Sequence, residues 1–121
     1  MKTSILPLVT ALCLFTAGIA HSQTAPPCRV MVAALEGSYD GTCRDGLAQG
    51  SGTASGTDRY EGNFRKGLPH GKGTYTWSSG DVYEGQWNMG RREGEGTFRG
   101  RVSGRDTILT GLWKGDRYTG P

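Results

Sequence analysis

The sequence predicts an all-β chain: a single-layer, curved antiparallel β-meander of about three and a half hairpin repeats. Three observations predict it. A 23-residue unit is written twice in tandem between Tyr60 and Phe98, first as YEGNFRKGLPHGKGTYTWSSGDV and then as YEGQWNMGRREGEGTF. Within each copy, aromatic and polar residues alternate with a period of two, which marks strands. Glycine supplies 21 of the 121 residues, a density that disfavours helix, since each interior glycine costs about 1 kcal/mol relative to alanine.

Laying the two copies together pairs Tyr60 with Tyr83, Gly62 with Gly85, Phe64 with Trp87, Gly67 with Gly90, Gly71 with Gly94 and Gly73 with Gly96, always at one and the same spacing. A weaker copy precedes them. Tyr39, Gly41, Cys43, Gly46, Gly50 and Gly52 stand before their counterparts at a slightly shorter constant spacing, and Leu109, Gly111 and Trp113 imitate the start of the unit once more after the second copy. Atypical end copies suit a stacked array, because an end repeat has one neighbour instead of two.

The elements follow in order. Lys2, the apolar run from Ile5 to Ile19, and the small residues Gly18, Ala20 and Ser22 spell a secretory signal peptide over residues 1–22, cleaved near Ala20 or Ser22. The run falls short of the ~20 residues that cross a bilayer. A secreted or periplasmic protein is the expectation. Without Lys2, thirteen basic side chains face eleven acidic ones, too slight an excess to call for nucleic acid. Cys28 and Cys43 then remain for an oxidising compartment, where a disulfide between them is expected. Closing that loop is worth ~3 kcal/mol in the chain-entropy model.

Residues 23–38 read as an N-terminal leader and cap. Gln23 to Pro27 is polar and carries proline, whereas Arg29 to Leu35 is apolar and is expected as a strand or cap over the first sheet edge, which would otherwise invite pairing between molecules. Residues 39–121 form the array. Tyr83, Gly85 and Trp87 fall on one strand face and Val82, Glu84 and Gln86 on the other. Cys43 takes the slot of Phe64 and Trp87, so its side chain is expected towards the aromatic face. Ser78 to Asp81 supplies a turn, Ser103 to Asp106 another, Thr107 to Trp113 a strand, and Lys114 to Pro121 a frayed or capping end.

A single layer has no second layer to bury its apolar face. Each ring is therefore expected to lie on a glycine of a neighbouring strand, where any Cβ would hold ring and backbone apart. Gly71 to Gly73 and Gly94 to Gly96 are expected to bulge and curl the sheet into a trough on its aromatic side. Arg91, Arg92, Arg99, Arg101 and Arg105 outnumber Glu93 and Glu95 in one stretch, the one local charge excess.

Tyr-x-Gly-x-aromatic followed by Gly-x-x-His-Gly-x-Gly-x-aromatic, at this pitch from Tyr39 to Trp113, resembles the MORN (membrane occupation and recognition nexus) repeat. Tyr60 to Tyr75 matches it almost fully, with the histidine at His70. Gln49 and Glu93 stand at that place in the other copies, which argues against a required histidine chemistry. The resemblance implies scaffolding, self-association and affinity for lipid surfaces.

Catalytic chemistry has little to work with. A nucleophile needs a base within reach, and His70 is the one histidine beyond residue 22. No histidine or cysteine cluster has zinc spacing, so neither metal nor cofactor is expected. GLPHGKGT at Gly67 to Thr74 departs from a phosphate loop: it is one residue short, puts Gly73 where magnesium needs a hydroxyl, and joins strands instead of opening a helix. Glu93 with Glu95, and Asp81 with Glu84, are the pairs a glycosidase reading would use, but nothing in the sequence raises a carboxyl pKa.

The expectation is a binding protein without enzymatic activity, whose partner is another protein or further copies of itself. Tyr60, Phe64, Tyr75, Trp77, Tyr83 and Trp87, with Arg91 and Arg92, are the candidate contacts. Most of these rings read equally as a structural spine. Trp77 is the exception, because Gly56 and Gly100 stand at or near its place in the other repeats. A membrane surface or a cell-wall carbohydrate, met by the aromatic face and Arg91 to Arg105, is the alternative partner.

Overall fold

The computed structural model describes residues 28–121; the expected signal peptide and residues 23–27 lie outside them. Eight antiparallel strands form one open sheet in sequence order: β1 (Ser38–Arg44), β2 (Leu47–Ser55), β3 (Arg59–Arg65), β4 (Leu68–Thr76), β5 (Val82–Asn88), β6 (Arg91–Val102), β7 (Arg105–Lys114) and β8 (Arg117–Gly120). Each repeat is one hairpin, and the fourth is cut short by the brief β8. Two-residue turns with both central φ angles positive close the hairpins, as at Lys66–Gly67 and Met89–Gly90. Their twist matches that of the flanking strands.

Register separates contacts within a repeat from those between repeats. Gly62 faces Gly73 and Phe64 faces Pro69, so Asn63 alone opposes His70, Gly71 and Lys72. This is the expected bulge. Gly71, with φ of +83°, supplies the left-handed residue that it needs. The same interruption falls between Gly41 and Cys43 and between Gly85 and Trp87. Between repeats the ladder runs unbroken from Gly50 opposite Phe64 to Ser55 opposite Arg59.

Glycines meet glycines straight across the sheet: Gly41, Gly52, Gly62, Gly73, Gly85, Gly96 and Gly111 stand opposite one another in turn. A Cβ on Gly73 would fall on the Tyr60 hydroxyl, and one on Gly96 on that of Tyr83. Ring-on-glycine contact between adjacent strands is thus the packing rule of the array, as the sequence implied. The rings themselves are the core: Tyr60, Phe64, Tyr75, Tyr83, Trp87 and Trp113 are buried in one cluster.

The segment before β1 departs from expectation. Its Arg29 N–H donates to Gly46 (2.8 Å), its Met31 N–H to Gly67 (2.8 Å), and its Ala34 carbonyl accepts from Asp58 (2.9 Å). It therefore crosses the ring-bearing face of the first two repeats instead of running along the outer edge of β1. Ala48 and Ala54 explain why. They stand where Pro69 and Tyr75 stand one repeat later, and Val30 and Leu35 fill the room they leave, joining the core cluster. A 3-10 turn, Ala33–Leu35, seats Leu35. The disulfide Cys28–Cys43, with Cα atoms 5.6 Å apart, fastens the segment to β1. Cys43 occupies the aromatic slot but is exposed, since β1 has no neighbour on its outer side.

Candidate functional site

The rings named from sequence assemble into a spine. Tyr60 donates to the Asn63 carbonyl (2.8 Å), and Tyr83 to that of Gln86 (2.9 Å). Trp87 Nε1 donates to the Gly73 carbonyl and Trp113 Nε1 to that of Gly96, each at 3.1 Å. Each of these four rings thus ties its polar tip to main chain next to the bend. Edge-to-face contacts link consecutive repeats, with Tyr60–Trp87 centroids 5.7 Å apart and Tyr83–Trp113 centroids 5.2 Å apart, in the range where such pairs add to area burial.

Burial pushes the Tyr60 hydroxyl pKa up, above the ordinary tyrosine range. At Tyr75 burial acts first and the Asp58 carboxylate, accepting its hydroxyl at 2.5 Å, acts in the same direction. Asp58 also accepts the Ser78 N–H (2.9 Å), so one carboxylate joins two connections. Five of the six candidate contact rings are buried; Trp77 is half-buried and packs at a tilt against Tyr75, 4.6 Å between centroids.

Arg91 and Arg92 separate. Arg91 is exposed, whereas Arg92 lies among rings, its guanidinium carbon 4.6 Å from the Trp113 centroid and 5.6 Å from that of Trp77. Asp116 holds it with an ion pair of 3.3 Å and a bond of 2.9 Å from the guanidinium to the Asp116 carbonyl. Arg92 takes the place of buried Pro69. The sequence reading missed that equivalence, although pairing the repeats would have shown it. Elsewhere in the stretch, Arg101 pairs with Asp106 across the β6–β7 turn, and Arg99 lines the opposite side.

His70 has a local task. Its Nδ1 accepts the N–H of Met89 (3.2 Å), as Gln49 Oε1 accepts that of Lys66 (3.0 Å). Both Met89 and Lys66 carry positive φ in the next turn. The side chain at this place steadies the following turn, which any acceptor can do, and that is why glutamine and histidine interchange.

The face opposite the rings holds a groove of about 1020 Å³. Glu61, Thr74, Glu84, Thr97 and Thr110 form one wall, Lys72, Gln86, Glu95 and Leu112 the other, and the glycine row its floor. No aromatic side chain lines it. The trough expected on the aromatic side is therefore on the polar side: the bulged strands bend at the glycine row, and the rings fill their own side as core. The signal was present in the alternation that placed Glu84 and Gln86 away from the rings. Among the described residues, no buried side-chain nitrogen or oxygen lacks a hydrogen-bond partner.

A family profile described as the MORN repeat matches the chain three times in succession, at residues 39–58, 60–82 and 83–105. Each match spans one hairpin and its following connection. No curated protein matches the chain.

Proposed function

Because the chain belongs to the MORN repeat family, whose repeats are generally associated with protein or membrane binding, we propose that it is a non-enzymatic scaffold working outside the cytoplasm and joining protein partners. The observation that carries this reading is the division of labour between the faces. Rings and glycines are used up in making a sheet that needs no second layer, and the other face is left as a long, walled, unpartnered groove. A preformed concave surface with a few placed polar groups is what a rigid binding module presents.

The Cys28–Cys43 disulfide supports an oxidising compartment, in keeping with the signal-peptide grammar of residues 1–22. Binding through Arg91 to Arg105 at a membrane surface has less support, because Arg92 is held by Asp116 and Arg101 by Asp106. Carbohydrate binding on a ring-lined trough has less support, since Tyr60, Phe64, Tyr75, Tyr83 and Trp87 are buried. Cross-linking through Lys72 in the native cell envelope, followed by mass spectrometry, tests the proposal. Recurrent cross-links from this groove residue to another polypeptide are expected. Sedimentation with anionic liposomes at physiological salt, without such cross-links, would favour the membrane reading instead.

A further inference from the structure

The groove carries a repeated chemical spacing. Register places Asp40, Thr53, Glu61, Thr74, Glu84, Thr97 and Thr110 opposite one another in turn on the face away from the rings. Carboxylates fall on β1, β3 and β5, with threonine hydroxyls on the strands between. Adjacent strands are ~4.8 Å apart, so the carboxylates recur every ~9.6 Å along this row; Glu61 and Glu84 line the groove, and Asp40 stands beyond its lining. Among the described residues Asp40 and Glu84 form no ion pair, and Glu61 meets Arg59 at 3.3 Å with both side chains more than half exposed.

An extended chain crossing the strands must match that interval. A β-strand places same-side residues ~6.7 Å apart and falls out of step. A polyproline-II helix has three residues per turn and rises ~3.1 Å per residue, so positions i, i+3 and i+6 project to one side ~9.3 Å apart. That helix makes no internal hydrogen bonds and leaves its carbonyls free. Lys72 and Gln86 on the second wall, and Arg99 in the lining, are donors suited to them.

We propose that the groove binds a polyproline-II segment of a partner protein that carries lysine or arginine at every third residue. This rests on the reading of the molecule as a protein-binding scaffold and names the partner's chemistry. Glu61 and Glu84 meet the cations inside the groove, and Asp40 continues their row on β1.

Fluorescence anisotropy with the disulfide-bonded protein tests it, using three labelled peptides. The first is a tandem repeat of Lys-Pro-Pro, the second has the same composition with all its lysines in one block ahead of the prolines, and the third is a tandem repeat of Glu-Pro-Pro. The periodic lysine peptide is expected to bind about five- to tenfold more tightly than the blocked one, and the glutamate peptide not at all. Glu61→Gln and Glu84→Gln, both on exposed side chains, should each weaken binding roughly two- to fivefold, as exposed charge pairs do, with an unchanged circular dichroism spectrum. Equal affinity for the two lysine peptides overturns the proposal. So does indifference to both substitutions, tighter binding of the glutamate peptide, or capture of phosphatidylglycerol vesicles with no capture of peptide. Protein cross-links at Lys72 without periodic preference would defeat this inference and leave the scaffold reading standing.

Discussion

Ala48 in the first repeat and Arg92 in the third stand at the same place, opposite Cys43 and Trp87, and the space above them is filled in two ways. Over Ala48 the filling comes from outside the pattern: Val30 and Leu35 arrive on the preceding segment, held by the disulfide. Over the third repeat the filling comes from the repeat itself. The Arg92 stem and guanidinium cover Trp77, Tyr83 and Trp113, and Asp116 fixes the charge. In the middle repeat Pro69, itself fully buried, takes that place. A stacked array is thus uniform in its interior and improvised at its ends, where the missing neighbour must be replaced.

That contrast can be broken at either end. Leu35→Ala removes a side chain with no exposed surface and should cost about 2–5 kcal/mol in urea unfolding, as buried leucine truncations do. Ile108→Ala, at a side chain 67% exposed, should stay within about 0.5 kcal/mol. Similar losses for the two would mean that the N-terminal segment is not part of the core. Replacing both Cys28 and Cys43 by serine should cost ~3 kcal/mol, and reduction of the native protein should match it. An unmoved midpoint would show Val30 and Leu35 holding the segment unaided.

The shared interior responds to alkali. Burial raises the pKa of Tyr60, Tyr75 and Tyr83 above that of the unfolded chain, near 10. Below pH 10 both states are protonated and stability is unaffected by these groups. Above it the unfolded state releases protons that the folded state retains, so stability falls as pH rises. Tyrosinate absorbance in the near ultraviolet should therefore rise together with loss of the folded signal. Ionisation of all five tyrosines in a still-folded protein would contradict the burial of these hydroxyls.

Smaller effects sharpen the C-terminal side. Arg92→Ala should cost about 1–2 kcal/mol by removing the cation from the rings and stranding Asp116, whereas Arg92→Met should recover the packing part. Equal losses would assign the whole effect to charge. His70→Gln should be neutral within about 0.5 kcal/mol, and His70→Ala should cost about 1 kcal/mol through the unpaired Met89 N–H. Thermal melts of the three proteins decide it.

Pattern within the chain determined the repeats, their hairpins, the bulge glycines and the seating of Tyr60 and Tyr83 on Gly73 and Gly96. Each is a consequence of period and spacing that returns with every copy of the unit, and a repeated local rule needs no knowledge of distant contacts. The fold alone decided which face is concave. Alternation assigns residues to faces, but the direction in which bulged strands bend depends on rings of several repeats packing together. It also decided the course of residues 28–37, because Ala48 and Ala54 announce missing volume without saying what fills it. The Arg92–Asp116 pair and the His70–Met89 bond join residues 24 and 19 positions apart. Such partners are set when one turn comes to rest against the next, and sequence spacing carries no record of that until the array is stacked.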